Sequence, residues 1–215
     1  MDIDLPYILS WAVMVSGVII LVDQFFLRPA RVAAHESTAE ASVVEDVPAQ
    51  PVLVEYARSF FPVLLLVFVL RGFVAEPYQI PSESMLPTLE VGDFILVNKY
   101  AYGLRFPVLG GKFMDVDDPA RGDVMVFVPP HDPRYFIKRV VGIPGDRVRY
   151  ANKTLFVNGK RLNYEFVREF ADPGLRAKVR EYTEEIDGRR YPIFKTAGIE
   201  RAQEWTIGDG QYLMI

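Results

Sequence analysis

Two serines, Ser82 and Ser84, stand between prolines in Pro81-Ser82-Glu83-Ser84-Met85-Leu86-Pro87, and one lysine, Lys138, stands in the apolar run Tyr135-Phe136-Ile137-Lys138-Arg139-Val140-Val141. A serine hydroxyl becomes a useful nucleophile when a neighbouring base takes its proton, and that base is usually histidine. The chain has only two histidines, His35 and His131, and no cysteine, which removes thiolate nucleophiles, thiolate zinc sites and disulfides together. A lysine can replace histidine where burial disfavours its charged form and leaves a neutral amine. On a strand, Lys138 shares a face with Phe136 and Val140, while Arg139 shares the other with Ile137 and Val141, so one of the two cations enters apolar surroundings. Arg139 cannot be a base, because guanidinium stays protonated. The residues alone leave plainer alternatives open: the serines as an ordinary turn, Lys138 at a strand edge with its ammonium in water, and His131 as the partner of Ser84.

The chemistry sits behind two apolar segments. Leu5 to Val22 is an uncharged run of eighteen residues, about 27 Å long as a helix, and it predicts a transmembrane helix over 5–27. The start, Met1-Asp2-Ile3-Asp4, has no basic region, and no small-x-small site follows the run, so a cleaved leader is disfavoured. A second span is expected over 59–75, with Arg71 snorkelling and Phe60, Phe61 and Phe73 as interfacial aromatics. Between them, 28–58 reads as a solvated loop, acidic and Ala-rich with three prolines, which carries Arg28, Arg31 and Arg58 beside the spans. The segment before the first span has no Lys or Arg, so the positive-inside rule places the loop, with His35, in the cytoplasm and puts residues 1–4 and 76–215 on the exported side.

From residue 76 the pattern changes to short apolar or alternating runs divided by Gly, Pro and Asp: Asp93 to Val97, Asp123 to Val128, Tyr135 to Val141, Arg147 to Tyr150 and Thr154 to Val157. The expected fold class is therefore mainly β, two N-terminal transmembrane helices followed by an exported all-β domain. Asn158-Gly159 predicts a two-residue type I′ hairpin turn after Thr154 to Val157. Leu175 to Ile186 reads as a short charged surface helix, and Arg189 to Phe194 as strand-like again. The formal charge of −4 gives no basic field for a nucleic acid, which is not expected as a partner. Arg121-Gly122-Asp123 reads as a turn entering a strand rather than an adhesive tripeptide, and Asn152-Lys153-Thr154 matches a glycosylation sequon in form only.

Four segments, Pro-Ser-x-Ser-Met-x-Pro-Thr-Leu at 81–89, Gly-Asp-Phe-Ile-Leu-Val at 92–97, Arg-Gly-Asp-Val at 121–124 and Tyr-Phe-Ile-Lys-Arg-Val-Val-Gly-Ile-Pro-Gly-Asp at 135–146, resemble in order and spacing the motifs of bacterial signal peptidase I. The resemblance implies an exported β-fold catalytic domain at the bacterial cytoplasmic membrane. Its partners would be signal-peptide-bearing preproteins and the lipid bilayer, and it would use a Ser/Lys dyad without cofactor or metal. Position by position it makes Ser84 the nucleophile, Lys138 the general base, and the Ser82 hydroxyl with the Ser84 backbone N–H the oxyanion hole; Met85 and Tyr135 become substrate-binding positions. It also leads one to expect a Gly-Asp-Asn-Arg-Asp-Ser motif beyond Ile215, and hence a truncated, inactive chain if that motif is needed to hold Lys138. A self-cleaving Ser/Lys protease of the repressor type and a non-catalytic, membrane-tethered β domain are the competing readings.

Overall fold

The computed structural model describes residues 5–36, 50–107, 110–130, 132–172, 177–198 and 201–215, in two compact units. His131 lies outside the described residues, as does the side chain of His35.

The first unit comprises the helices and a small hairpin from residues 98–116. Helix α1 (Leu5–Val22) passes through a π-helical turn, Asp23–Leu27, into α2 (Arg28–Glu36). Pro29 has no N–H to give to an α-helical bond with residue 25, and the wider turn just before it, closed by Arg28 N–H donating to the Asp23 carbonyl, absorbs the irregularity. Helix α3 (Val52–Val69) ends in a second π turn, Leu70–Val74. Each continuous helical stretch, residues 5–34 and 52–74, is long and apolar enough to cross a membrane. The segment 28–58, read from sequence as a loop, is thus helical at both of its ends. Its arginines explain why: Asp23 is fully buried and accepts from Arg31 Nη2 at 2.6 Å and Arg58 Nη2 at 3.1 Å, so a carboxylate at the end of α1 holds α2 and α3 together. Further along, α1 and α3 approach closely at Gly17, where a Cβ would stand 3.3 Å from the Phe61 ring, as small residues permit between membrane helices. The unit's hairpin is formed by β3 (Gly103–Arg105) and β4 (Lys112–Asp115).

The second unit, Pro77–Val97 with Asp117–Ile215, is all β, as the alternating runs predict. Strands β1 (Ala75–Gln79) and β2 (Phe94–Asn98) pair at its start. Strand β5 (Val124–Phe127) pairs with β6 (Phe136–Gly142), which also receives β14 (Leu213–Met214) on its other edge. Strands β7 (Arg147–Ala151), β8 (Thr154–Val157), β9 (Lys160–Arg161) and β13 (Gln203–Thr206) make a four-stranded sheet. Asn158 and Gly159 have φ of 52° and 79°, the left-handed pair that a type I′ turn requires. Val141, Val148, Leu155, Val157, Ile186, Tyr191 and Ile207 close over one another as the core.

The charged stretch read as a helix is a strand. Ala177–Ile186 is β11, the centre of an antiparallel sheet between β10 (Asn163–Asp172) and β12 (Arg189–Thr196). Its charges are satisfied across strands, with Arg168 donating to Glu181 and Arg180 to Glu169, each at 2.6 Å, while Val179, Glu184 and Ile186 turn inward.

One core position sets a sharp steric limit. A Cβ on Gly142 would lie 2.8 Å from Val148 Cγ2, 3.1 Å from Ile207 Cγ1 and 3.2 Å from Leu213 Cβ. Gly142→Ala is therefore expected to destabilise the β unit by about 2 kcal/mol through overpacking, measured as a lowered urea midpoint at unchanged slope.

Candidate active site

The serine-bearing loop is pinched at its base. Ile80 N–H donates to the Asp93 carbonyl and Gly92 N–H to the Ile80 carbonyl, both at 2.9 Å, so residues 81–91 project as one short excursion from the β1–β2 pair. Within it a single 3₁₀ turn, Glu83–Met85, is continued by Thr88 and Leu89 N–H groups donating to the Met85 carbonyl at 2.8 and 3.1 Å. Ile80 and Met85 are buried and hold the loop down, while Ser82 and Ser84 are exposed. The Ser82 hydroxyl donates to Ser84 Oγ at 3.4 Å, so the two hydroxyls share one small region.

This turn packs beside β6, the strand that carries Lys138. Lys138 is half-buried and stands opposite Met125 of β5, and Val140, two residues on along the same face, is fully buried. No hydrogen bond joins Lys138 to Ser84 in this state. Tyr135 lies at the exposed start of the same strand, its ring 5.4 Å from that of Tyr78 on β1. Of the residues singled out in the sequence, Ser82, Ser84 and Met85 are therefore gathered on one turn, with Lys138 on the strand against which that turn rests and Tyr135 at its margin.

The neighbouring cation, Arg139, is the one with a fully described setting. Its guanidinium carbon lies 3.8 Å from the Tyr191 ring centroid, Nη1 donates to the Gly122 carbonyl at 2.7 Å and Nη2 reaches Thr88 Oγ1 at 3.5 Å. Burial lowers its pKa from the usual arginine value, though guanidinium remains charged at any working pH. Arg139 thus ties β6 to the serine loop.

A cavity of about 210 Å³ opens beside Ser84, with Met85, Leu86 and Val141 among its lining. Its floor holds residues that sequence reasoning missed. Glu184, 3% exposed, sits in register between Tyr164 of β10 and Tyr191 of β12 and accepts from Tyr191 Oη at 2.6 Å. Burial, then the Glu184 charge, pushes both tyrosines well above the usual phenol range, so they stay protonated donors. Lys195 Nζ lies 3.4 Å from the Tyr164 ring centroid, and burial lowers its pKa. No spacing along one strand reveals this row, since it exists only once three strands are in register.

A second network stiffens the turn after β6. Asp146 accepts from Arg121 Nε and Nη2, both at 2.7 Å, from Asn158 Nδ2 at 2.9 Å and from Ile143 N–H at 2.9 Å. Arg121 holds the Asp146 carboxyl down to about 2. The arginine of Arg121-Gly122-Asp123 is therefore turned inward, and Asp123 pairs with Arg189, in keeping with a structural turn and not an adhesive one.

An exposed serine on a rigid turn, set against a strand that offers an amine, is chemistry of the kind a serine endopeptidase uses, and the comparisons with known proteins give that class. The profile of the family described as signal peptidase, peptidase S26, matches residues 53–215. The chain is 47% identical to Signal peptidase I of Pseudomonas aeruginosa over 226 aligned residues, covering all of this chain and 79% of that protein. It is 45% identical to Signal peptidase I of Pseudomonas fluorescens with the same coverage, and 32% identical to that of Haemophilus influenzae across 93% of this chain and 74% of the relative. The chain belongs to the signal peptidase family, peptidase S26, and is a membrane-anchored serine endopeptidase of the signal peptidase I kind.

Proposed function

We propose that this protein removes signal peptides from exported preproteins at the outer face of a bacterial cytoplasmic membrane, with Ser84 as nucleophile and Lys138 as general base. Ser84 Oγ attacks the scissile carbonyl while the Lys138 amine accepts its proton and later returns it to the leaving amine. The Ser84 N–H and the Ser82 hydroxyl meet the charge that develops on the carbonyl oxygen. The apolar wall that includes Met85 takes small side chains near the cut, and Tyr135 borders the path of the substrate. The observation that carries this reading is the placing of the exposed Ser84 turn beside β6, two strand positions from fully buried Val140 on the Lys138 face. Orientation follows from the arginines at the ends of α1 and α3, which keep the segment between the helices in the cytoplasm and the β unit outside.

The test is cleavage of a preprotein by the full chain in lipid vesicles, run in parallel with the chain extended by Gly-Asp-Asn-Arg-Asp-Ser, with the new N-terminus identified by sequencing. A single cut after a small residue, blocked by Ser84→Ala, supports the reading. Cutting that survives Ser84→Ala, or no cutting by either protein, sinks it.

A further inference from the structure

We infer that Glu184 is a positioning residue for the cleavage reaction, holding the Ser84 loop from beneath through Tyr191 and Arg139. The role rests on Ser84 being the nucleophile, whereas the chain of contacts that carries it lies wholly within the β unit. Glu184 is 3% exposed on the central strand of the β10–β11–β12 sheet. It accepts from Tyr191 Oη at 2.6 Å and also bonds Tyr164, whose own oxygen accepts from Leu155 N–H at 2.8 Å. Each tyrosine carries a cation on its face: the Arg139 guanidinium lies 3.8 Å from the Tyr191 centroid and Lys195 Nζ 3.4 Å from that of Tyr164. The row therefore runs Lys195, Tyr164, Glu184, Tyr191, Arg139, one anion between two cations that reach it across aromatic rings.

A buried carboxylate is a poor device for stability alone, since desolvation offsets what its bonds contribute. What this one adds is a fixed place for Arg139. A charge-assisted bond of 2.6 Å sets the orientation of the Tyr191 ring, and both the ring face and the anion behind it attract the guanidinium. Burial disfavours the Arg139 charge, and Tyr191 and Glu184 oppose that penalty. So held, Arg139 donates to the Gly122 carbonyl at 2.7 Å and reaches Thr88 Oγ1 at 3.5 Å. Thr88 N–H in turn donates at 2.8 Å to the carbonyl of Met85, the residue after Ser84. The same anchorage bears on the amine, because Lys138 precedes Arg139 on β6 and leaves the strand on the opposite face. Loss of Glu184 thus loosens Ser84 and Lys138 relative to each other, and a displacement of about 1 Å is enough to slow chemistry by about 10²-fold.

The test uses the full chain in the vesicles that serve for cleavage, with Glu184→Gln, Tyr191→Phe, Thr88→Val and, as a control, Val179→Ala, which opens a cavity at a fully buried position of the same strand. Amide hydrogen exchange over residues 81–91 should be several-fold faster in Glu184→Gln and Tyr191→Phe than in the parent, above all at Thr88 and Leu89. Val179→Ala should leave that exchange unchanged although it lowers the denaturant midpoint. Tyr191→Phe keeps the ring and removes only the bond to Glu184, so it decides the matter if Glu184→Gln does not fold. Loop exchange at the parent rate in the row variants, or equal acceleration in Val179→Ala, overturns the inference. The single-turnover cleavage rate should fall by about ten- to a hundredfold in Glu184→Gln, with the substrate concentration for half-maximal rate little changed. Adding Thr88→Val to Tyr191→Phe should cost hardly more than the worse single change, and fully multiplied effects would overturn the route through Arg139. If the parent does not cut, or still cuts with Ser84→Ala, the proposed function fails and the catalytic role falls with it, while loop exchange still decides whether Glu184 holds the loop.

Discussion

Ser84→Ala is expected to lower preprotein cleavage by at least about 10⁴-fold, and Lys138→Ala by a similar factor, with substrate binding little changed. A nucleophile and its base act as a unit, so the double variant should be hardly worse than either single one. The more telling variant is Lys138→Arg. It keeps a long cationic side chain on the same face of β6 but cannot supply a neutral amine, since guanidinium stays protonated. If Lys138 is the base, Lys138→Arg is as inactive as Lys138→Ala; if the position contributes only charge or bulk, Lys138→Arg retains most of the rate. Single-turnover cleavage separates the two, because it reports the chemical step without product release. Arg139, which shares the dipeptide, gives the contrast. Its contacts with Tyr191, the Gly122 carbonyl and Thr88 are structural, so Arg139→Lys should cost stability and loop placement while some turnover survives.

The second large effect concerns stability. Asp146 is 5% exposed and accepts from Arg121, Asn158 and Ile143 N–H, and Arg121 is itself 17% exposed. Asp146→Ala leaves Arg121 only Asp187 as a carboxylate partner and removes the acceptor of Asn158 Nδ2 and Ile143 N–H, and is expected to destabilise the β unit by about 3 kcal/mol, or roughly 10 °C in the melting temperature. The acid limb of stability should show the same carboxylate. Its folded pKa of about 2 lies below its ordinary value of 3.8, so the ionised form is bound more tightly in the native state. The contribution, about 2 kcal/mol, is fully present above pH 4 and is lost as pH falls through 2. Denaturant midpoints at pH 6, 4 and 2.5 should fall most steeply over the last interval in the parent chain, and that excess slope should vanish in Asp146→Asn. Equal slopes in the two proteins would show that the cluster is not what gives way in acid.

Much of this was legible in the sequence, and the reason is local. Strands β2 and β5 to β8 are short apolar or alternating runs divided by Gly, Pro or Asp, and Asn158-Gly159 has one preferred geometry, so neighbouring residues suffice to predict them, whereas β3 and β4 carry no such pattern and were not legible. The serine loop was legible because its prolines and serines occur together within nine residues. What could not be read depends on partners far along the chain. The stretch ending in Ile186 has the charge density of a surface helix, and only pairing with β10 and β12 turns those charges into cross-strand ion pairs. Glu184 looks solvated until its register places it between Tyr164 and Tyr191. The helical path beyond Leu27 was hidden for the same reason: Pro29 signals a break, and the compensation comes from Asp23 accepting from Arg58, thirty-five residues away.

That buried carboxylate also bears on the order of events at synthesis. Arg31 and Arg58 are two of the three arginines that would orient the helices, yet in the finished pair both are bonded to Asp23. A translating chain presents them differently, because Arg58 emerges only after α1 and the whole connecting segment have left the ribosome. In the proposed orientation the folded protein would therefore offer the inner leaflet a weaker cationic belt than the nascent one does. A topology written by arginine must be read before the helix pair closes, and once closed, the Asp23 clasp preserves an orientation it could not itself have chosen.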